Sequence, residues 1–240
     1  MSYKVSVGYC VWNEQDNIAS VIEDAKKFLD RDFGENQYEV IIVDNCSSDN
    51  TREIVKNIIK TLNNFRLIEH AFNKLYAGSN NTILTESQGE YTFTLDGDGQ
   101  HTAEDIKPFI EKMRQNNWDV IFGWKKTRND SFARKIVSLG FRCASQILIK
   151  NNLHDINCGF RGFNRSAKEQ LRLKEKVNSA GPEYLCLARE KKLKYGEFPV
   201  RHFPRGGGKG LFNGLVPLVR GIIAFLKYLK RLRSSYLSSM

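Results

Sequence analysis

After Glu197 the chain has no aspartate or glutamate at all. Other shortages narrow its class. The five cysteines (Cys10, Cys46, Cys143, Cys158 and Cys186) are odd in number and scattered, and no CxxC pair occurs. That excludes a CxxC zinc site, argues against a disulfide framework, and fits reduced thiols in a cytosolic protein. No uninterrupted apolar run approaches the roughly 20 residues that a spanning helix needs. The opening MSYKVSVGYC leads directly into a strand-like segment, so no signal peptide is expected. No GxGxxG follows that segment. GGGKG at 206–210 is not a Walker A loop, because Phe203 stands at its first glycine and Gly210 replaces the Ser/Thr. The four histidines form no recognisable Ser–His–Asp arrangement. Without an internal repeat or a low-complexity linker, one catalytic-size domain over 1–210 with an appendage at 211–240 is expected.

What is present is ordinary in bulk. At 41% hydrophobic and 27% charged residues, the 240-residue chain reads as soluble and globular. The net charge of +10 is uneven. Arg201, Arg205, Lys209, Arg220, Lys227, Lys230, Arg231 and Arg233 all lie in the acid-free tail. A concentrated basic end points to an anionic partner: nucleic acid, a membrane surface or a substrate phosphate.

The first 125 residues alternate between two periods. Strand patterns at 4–9, 38–43, 65–69, 91–95 and 120–122 alternate with helical patterns at 17–29, 49–62, 78–86 and 103–116. Such alternation predicts an α/β fold whose mostly parallel sheet is covered by helices. VIIVD has the composition of a strand buried on both faces. Further along, 132–149 reads as a longer helix, 155–164 as a loop entering a short strand, 183–192 as a helix and 195–200 as a strand. In the appendage, Leu215, Leu218, Val219, Ile222, Phe225, Leu226, Leu229 and Leu232 fall at helical spacing, with the basic residues largely elsewhere on the wheel. Two readings stand. It is a basic amphipathic helix lying in a membrane interface, or a terminal helix packed on the core with a solvated basic face. The absence of acid favours the first.

Ligands of parallel α/β sheets bind beyond the carboxyl ends of the strands. Four polar clusters fall there: Asn13 and Glu14; Asp44, Asn45, Ser47, Ser48 and Asp49; Asp96 and Asp98; and Lys125, Lys126 and Arg128. The third lies in TLDGDGQHTAED. A calcium-binding EF-hand loop fails on register there. With Asp96 at position 1, His101 takes the glycine position and Lys107 the final carboxylate. With Thr94 at position 1, Gly99 falls correctly but the first ligand is no carboxylate. Two carboxylates two residues apart at a strand end, with Gly97 and Gly99 removing bulk, suit a divalent cation clamped against a diphosphate. Asp49 reads as a helix cap or a site residue, and His101 and His202 as structural. Arg161 is read as a structural brace of the site, and Cys10 and Cys158 as small buried groups.

The stretches VGYCVWNEQDNI, VIIVDNCSSDNT, FTLDGDGQHTAEDI, VIFGWKKTRNDSFARKIVS, HDINCGFRGFNR and VRHFPRGGGKG, in this order, carry a resemblance. The chain resembles GT-A fold (Rossmann-like) family 2 glycosyltransferases. The branch is that of dolichol-phosphate mannose synthase and the bacterial polyprenyl-phosphate glycosyltransferases. The resemblance implies an inverting transfer of sugar from a UDP- or GDP-sugar to a polyprenyl phosphate, aided by Mg²⁺ or Mn²⁺. The protein would lie at the cytoplasmic face of the cell membrane, peripherally bound to its anionic surface. Tyr9, Val11, Asn13, Glu14, Asp44, Ser47, Asp96, Gly97 and Asp98 would bind the nucleotide sugar. Asp96, Asp98 and Gln100 would hold the metal. Arg205 and Lys209 would close on the diphosphate. Lys125, Arg128, Arg134 and Ser138 would grip the acceptor phosphate. Asp155 is the implied base or orienting carboxylate, or else a loop hydrogen-bond acceptor. The family's usual proline near Gly8 and Tyr9 is missing, a second acidic residue is replaced by Asn45, and Lys125 stands where arginine is common. Asn45 implies a weaker ribose or metal-shell contact. A family 2 enzyme acting on a sugar hydroxyl is the alternative. Nucleic-acid binding is not expected, because the tail interleaves its charges with aliphatics rather than stacking aromatics.

Overall fold

The computed structural model describes residues 3–126, 132–207 and 215–237, except the side chains of 132–138, 215–218 and 237. Seven strands form one sheet: β1 (Val5–Val11), β2 (Tyr38–Asp44), β3 (Phe65–Glu69), β4 (Tyr91–Asp96), β5 (Val120–Lys125), β6 (Arg161–Asn164) and β7 (Tyr195–Val200). Their order is β3-β2-β1-β4-β6-β5-β7. β6 runs antiparallel to both neighbours, and every other pairing is parallel. The expected mostly parallel sheet is therefore present, with one reversed strand inserted beside β4.

Helices α1 (Ile18–Phe33), α2 (Thr51–Ile59) and α4 (Ile106–Asn116) cover one face. α1 buries Ile18, Val21, Ile22, Ala25 and Leu29, the stripe legible in its sequence. The other face is covered by α3 (Leu75–Glu86), α5 (Phe132–Ile149), α6 (Arg165–Gln170), α7 (Gly181–Glu190) and α8 (Leu215–Leu232). α6 has no counterpart among the sequence patterns. Six residues are too few to display a stripe, and it is opened by Asn164, whose side chain accepts from Ala167 N at 2.8 Å.

α8 corrects part of the membrane expectation. Phe225, Tyr228, Leu229 and Leu232, with Tyr236 in the π-helical turn that follows, join the core cluster of α5 and α7. Phe141 and Phe225 pack with ring centroids 4.6 Å apart. The second half of the apolar stripe is thus covered by protein and not free for lipid. Val219 and Ile223 stay exposed, as do Leu139 and Ile147 on α5. Among the described residues, no helix is long and apolar enough to cross a membrane.

Glu183 fastens this corner. Fully buried, it accepts from Lys174 N (2.7 Å), Glu175 N (3.2 Å) and the Tyr236 hydroxyl (3.2 Å), while its own N–H donates to Tyr228 Oη. Removing it takes the acceptor from three donors, the buried Tyr236 hydroxyl among them. Glu183→Ala is expected to lower the unfolding free energy by about 3 kcal/mol in urea denaturation, and Glu183→Gln by less. Burial holds the Glu183 carboxyl above its ordinary range. The stability tied to it is therefore present at low pH and lost as pH rises through the raised value. Glu183→Gln should remove that component of the pH slope.

Candidate functional site

Loops leaving the carboxyl ends of the adjacent strands β2, β1 and β4 are knitted together by backbone-directed bonds. Asn45 N donates to Val11 O (2.8 Å), Asn13 N to Ser47 Oγ (2.9 Å), Ser48 N to Asn13 Oδ1 (2.8 Å) and Glu14 N to Thr51 Oγ1 (2.9 Å). Asn13 and Cys46 adopt left-handed backbone to make these turns. Asn13 and Ser47 thus hold each other's loops, and the Tyr9 and Val11 side chains lie in the core cluster beneath. Asp49 caps its helix: Oδ1 accepts from Thr51 N at 3.0 Å and Oδ2 from Gln15 N at 3.3 Å. Asn45 faces away from the edge. Its Oδ1 accepts from Lys74 N (2.8 Å) and lies 3.0 Å from His70 Nδ1, and its Nδ2 donates to Asn73. Its side chain ties the end of β2 to the loop before α3.

Four carboxylates converge on this edge. Asp44 is fully buried; its Oδ2 accepts from Arg52 Nε (2.5 Å) and Ser47 N (3.1 Å), while Oδ1 is buried without a hydrogen-bond partner. A buried carboxylate oxygen left unbonded is costly and marks a place for a donor from outside. Asp98 accepts from Gln100 N at 3.1 Å. Burial, followed by the neighbouring Asp96 charge, pushes its carboxyl up to about 6. Gly97 and Gly99 are required here. A Cβ on Gly97 would stand 2.7 Å from Val11 Cγ2, and Gly99 has φ +74°. Asp96 lies against Gly159, where a Cβ would come within 2.0 Å of its Oδ2.

The segment after β7 crosses the same edge. Phe203 N donates to Gln100 O (3.0 Å), and Gln100 Nε2 returns a bond to Phe203 O (3.3 Å). Arg205 Nη2 donates to Glu14 Oε1 at 2.5 Å, and its Nη1 lies 4.0 Å from Asp98 Oδ2. Asn17 Nδ2 donates to Glu14 Oε2 (2.8 Å) and Gly207 O (3.2 Å). Burial pushes the Glu14 carboxyl up to about 7, against the opposing pull of Asn17 and Arg205. The structure therefore brings Glu14, Asp44, Asp96, Asp98, Gln100 and Arg205 together. Lys209 and Arg128 lie outside the described residues, as do the side chains of Arg134 and Ser138 on α5. Lys125 ends β5, and its positive charge is felt at Asp98. Asp155 sits in the loop before β6, where its carbonyl accepts from Cys158 N at 3.1 Å.

His101 is a packing residue, as expected: its ring meets Phe160 and His202 edge-on, and burial lowers it to about 4, a neutral imidazole. Sequence reasoning missed Arg52, Asn17 and Tyr76. Arg52 alone carried a signal, a cation in the first turn of a helix that follows an acidic strand end. Among the described residues, no three His, Cys, Asp or Glu side chains gather to hold a metal. The Asp96–Asp98 pair nonetheless fits a cation of the Mg²⁺ or Mn²⁺ kind, which takes a few carboxylates and completes its shell with water and phosphate oxygens.

Comparison with known proteins converges on this architecture. The chain is 25% identical over 222 residues to a dolichyl-phosphate beta-glucosyltransferase of Trichomonas vaginalis, covering 86% of this chain and 68% of the relative. Glucosyl-3-phosphoglycerate synthase from Mycobacterium tuberculosis, solved with Mn²⁺, UDP-glucose and phosphoglyceric acid, shares the fold at TM-score 0.67 and 14% identity, over 95% of this chain and 80% of that one. S. aureus TarS 1–349 matches at TM-score 0.59 and 18% identity; the chain covers 58% of it, with 81% of this chain matched. Residues 6–172, which run from within β1 through β6, match the model for glycosyl transferase family 2, and the chain belongs to that family.

Proposed function

We propose that the chain transfers a sugar from a nucleoside-diphosphate donor to a polyprenyl phosphate, at a membrane face and with a divalent cation at Asp96 and Asp98. The observation that carries this reading is the acidic edge itself: Asp98 beside Asp96, with the Arg205 guanidinium 4.0 Å from Asp98 Oδ2. The dolichyl-phosphate activity of the Trichomonas relative supports a lipid phosphate as acceptor.

In this reading Asp44 Oδ1 receives the base. One unbonded oxygen matches the single imide N–H of uracil, whereas guanine presents two adjacent donors and would leave one unpaired. Asp96 and Asp98 would hold the cation, which would supply Lewis-acid neutralisation of the diphosphate leaving group. Arg205 exchanges Glu14 for the diphosphate oxygens, and Lys209 adds to that charge. Gln100 supplies a neutral oxygen near the cation. Lys125, Arg128, Arg134 and Ser138 hold the acceptor phosphate, whose oxygen bonds to the anomeric carbon as the bond from that carbon to the diphosphate oxygen breaks. The nucleophile is already an anion, so Asp155 orients the acceptor and removes no proton. Positioning and charge neutralisation supply the rate.

The apolar residues left exposed on the packed pair α5 and α8, with Arg220, Lys227 and Lys230 exposed on α8, suit an anionic membrane surface.

Two outcomes test these assignments. In calorimetry with Mn²⁺, UDP should bind at least about tenfold more tightly than GDP, and Asp98→Asn should lower turnover by about 10² or more. Equal affinities contradict the base assignment, and a fully active Asp98→Asn contradicts the cation site. For the membrane, the double change Val219→Glu and Ile223→Glu should abolish co-flotation with anionic liposomes at an unchanged melting temperature. Undiminished flotation contradicts the membrane face. Deleting 215–240 is no substitute, because it strips Phe225, Tyr228, Leu229 and Leu232 from the core.

A further inference from the structure

Arg161 is 2% exposed, the bulkiest side chain to be so fully buried. It lies in β6, where a guanidinium needs compensation for lost water. No carboxylate pairs directly with it among the described residues. Its Nη1 donates to the Tyr76 hydroxyl at 3.3 Å, and its Nε is buried without a hydrogen-bond partner.

The strand register shows what surrounds it. Cys10 of β1 pairs with Asp96 of β4, and Thr94 of β4 pairs with Arg161 of β6. Side chains two apart share a face, so Cys10, Thr94, Asp96 and Arg161 all point to the α3 side. Continuing the antiparallel register sets Gly159 opposite Asp96, which explains the 2.0 Å that a Cβ there would leave to Asp96 Oδ2. From above, α3 contributes Tyr76 and Asn80; Asn80 Nδ2 donates to Cys10 Sγ (3.4 Å) and to Tyr76 O (3.0 Å). The Tyr76 oxygen accepts from Arg161, which leaves its own hydrogen to be donated. The Asp96 carboxylate is the acceptor that this hydrogen faces.

We propose that Arg161 and Tyr76 are positioning residues for Asp96. The guanidinium holds the phenol, the phenol donates to the carboxylate, and Gly159 leaves the space in which that carboxylate turns. Asp96 thereby presents one fixed face to the donor and cation, while a buried positive charge behind it offsets part of its repulsion with Asp98. This rests on the reading of Asp96 and Asp98 as the donor and cation site.

The test measures binding rather than turnover. Calorimetry follows UDP with Mn²⁺, electron paramagnetic resonance follows Mn²⁺ in the presence of UDP, and uridine alone serves as the control. Tyr76→Phe, nearly isosteric, should remain folded and keep uridine binding, with a lowered melting temperature because the buried Arg161 loses an acceptor. It should weaken UDP with Mn²⁺ by about tenfold and raise the Mn²⁺ concentration for half-saturation. Arg161→Lys should act in the same direction, and Gly159→Ala more strongly, because its Cβ displaces the carboxylate. Wild-type affinity in Tyr76→Phe overturns the brace while leaving the site intact. A folded wild-type protein that binds neither UDP nor Mn²⁺ overturns the reading of the acidic edge, and the brace with it.

Discussion

The crowding of Glu14, Asp44, Asp96 and Asp98, with Asp98 set against both Asp96 and Glu14, is the constraint on which the rest of the edge depends. Parallel strands deliver all four to one place, and partial burial there makes each uncompensated charge more costly than in water. Each is met differently. Asp44 is held by Arg52 from the following helix. Glu14 takes Arg205 from across the chain. Asp96 has the Tyr76 and Arg161 pair behind it. Among the described residues, Asp98 has the Gln100 N–H, Arg205 at 4.0 Å and the charge of Lys125, and its carboxyl is raised to about 6. Among the described residues the edge is therefore short of positive charge at Asp98, the position where a cation is proposed.

The same logic separates scaffold from ligand-facing groups. Asn13, Ser47, Asp49 and Asn45 use their side chains to bind loop to loop, which fixes where Glu14 and Asp44 stand. Arg205 differs, because its strong partner, Glu14, belongs to the site itself. A diphosphate arriving there can take the place of Glu14 on the Arg205 guanidinium, one anion replacing another. The far side of the sheet is anchored by Glu183 and the aromatic half of α8, so the basic helix belongs to the core as well as to the surface.

Much of this was legible in the sequence. Periodicity marks the strands and, among the described residues, every helix from α1 to α8 except α6, and the strand-end rule puts Glu14, Asp44, Asp96 and Asp98 on one edge. What it did not reveal has physical causes. A four-residue strand such as β6 has no period from which its direction can be read. Asn45 and Asn13 carry polar groups that suit a ligand and a loop tie equally, and only geometry distinguishes them. The stripe of α8 looks the same whether protein or lipid covers it, and it was the aromatic packing of Phe225 on Phe141 that divided it. Arg161 was visible as a cation in an apolar strand, yet its partner Tyr76 lies on a helix 85 residues away.

The central claim is that this edge activates a nucleotide sugar for attack by a lipid phosphate. It is tested most directly by incubating the protein with Mn²⁺ or Mg²⁺, a panel of UDP- and GDP-sugars and a short polyprenyl phosphate, and resolving the products by mass. The account predicts one new lipid whose mass equals polyprenyl phosphate plus a single sugar residue, formed from a UDP-sugar only when the metal is present. Unchanged lipid alongside sugar appearing on a carbohydrate hydroxyl would contradict it.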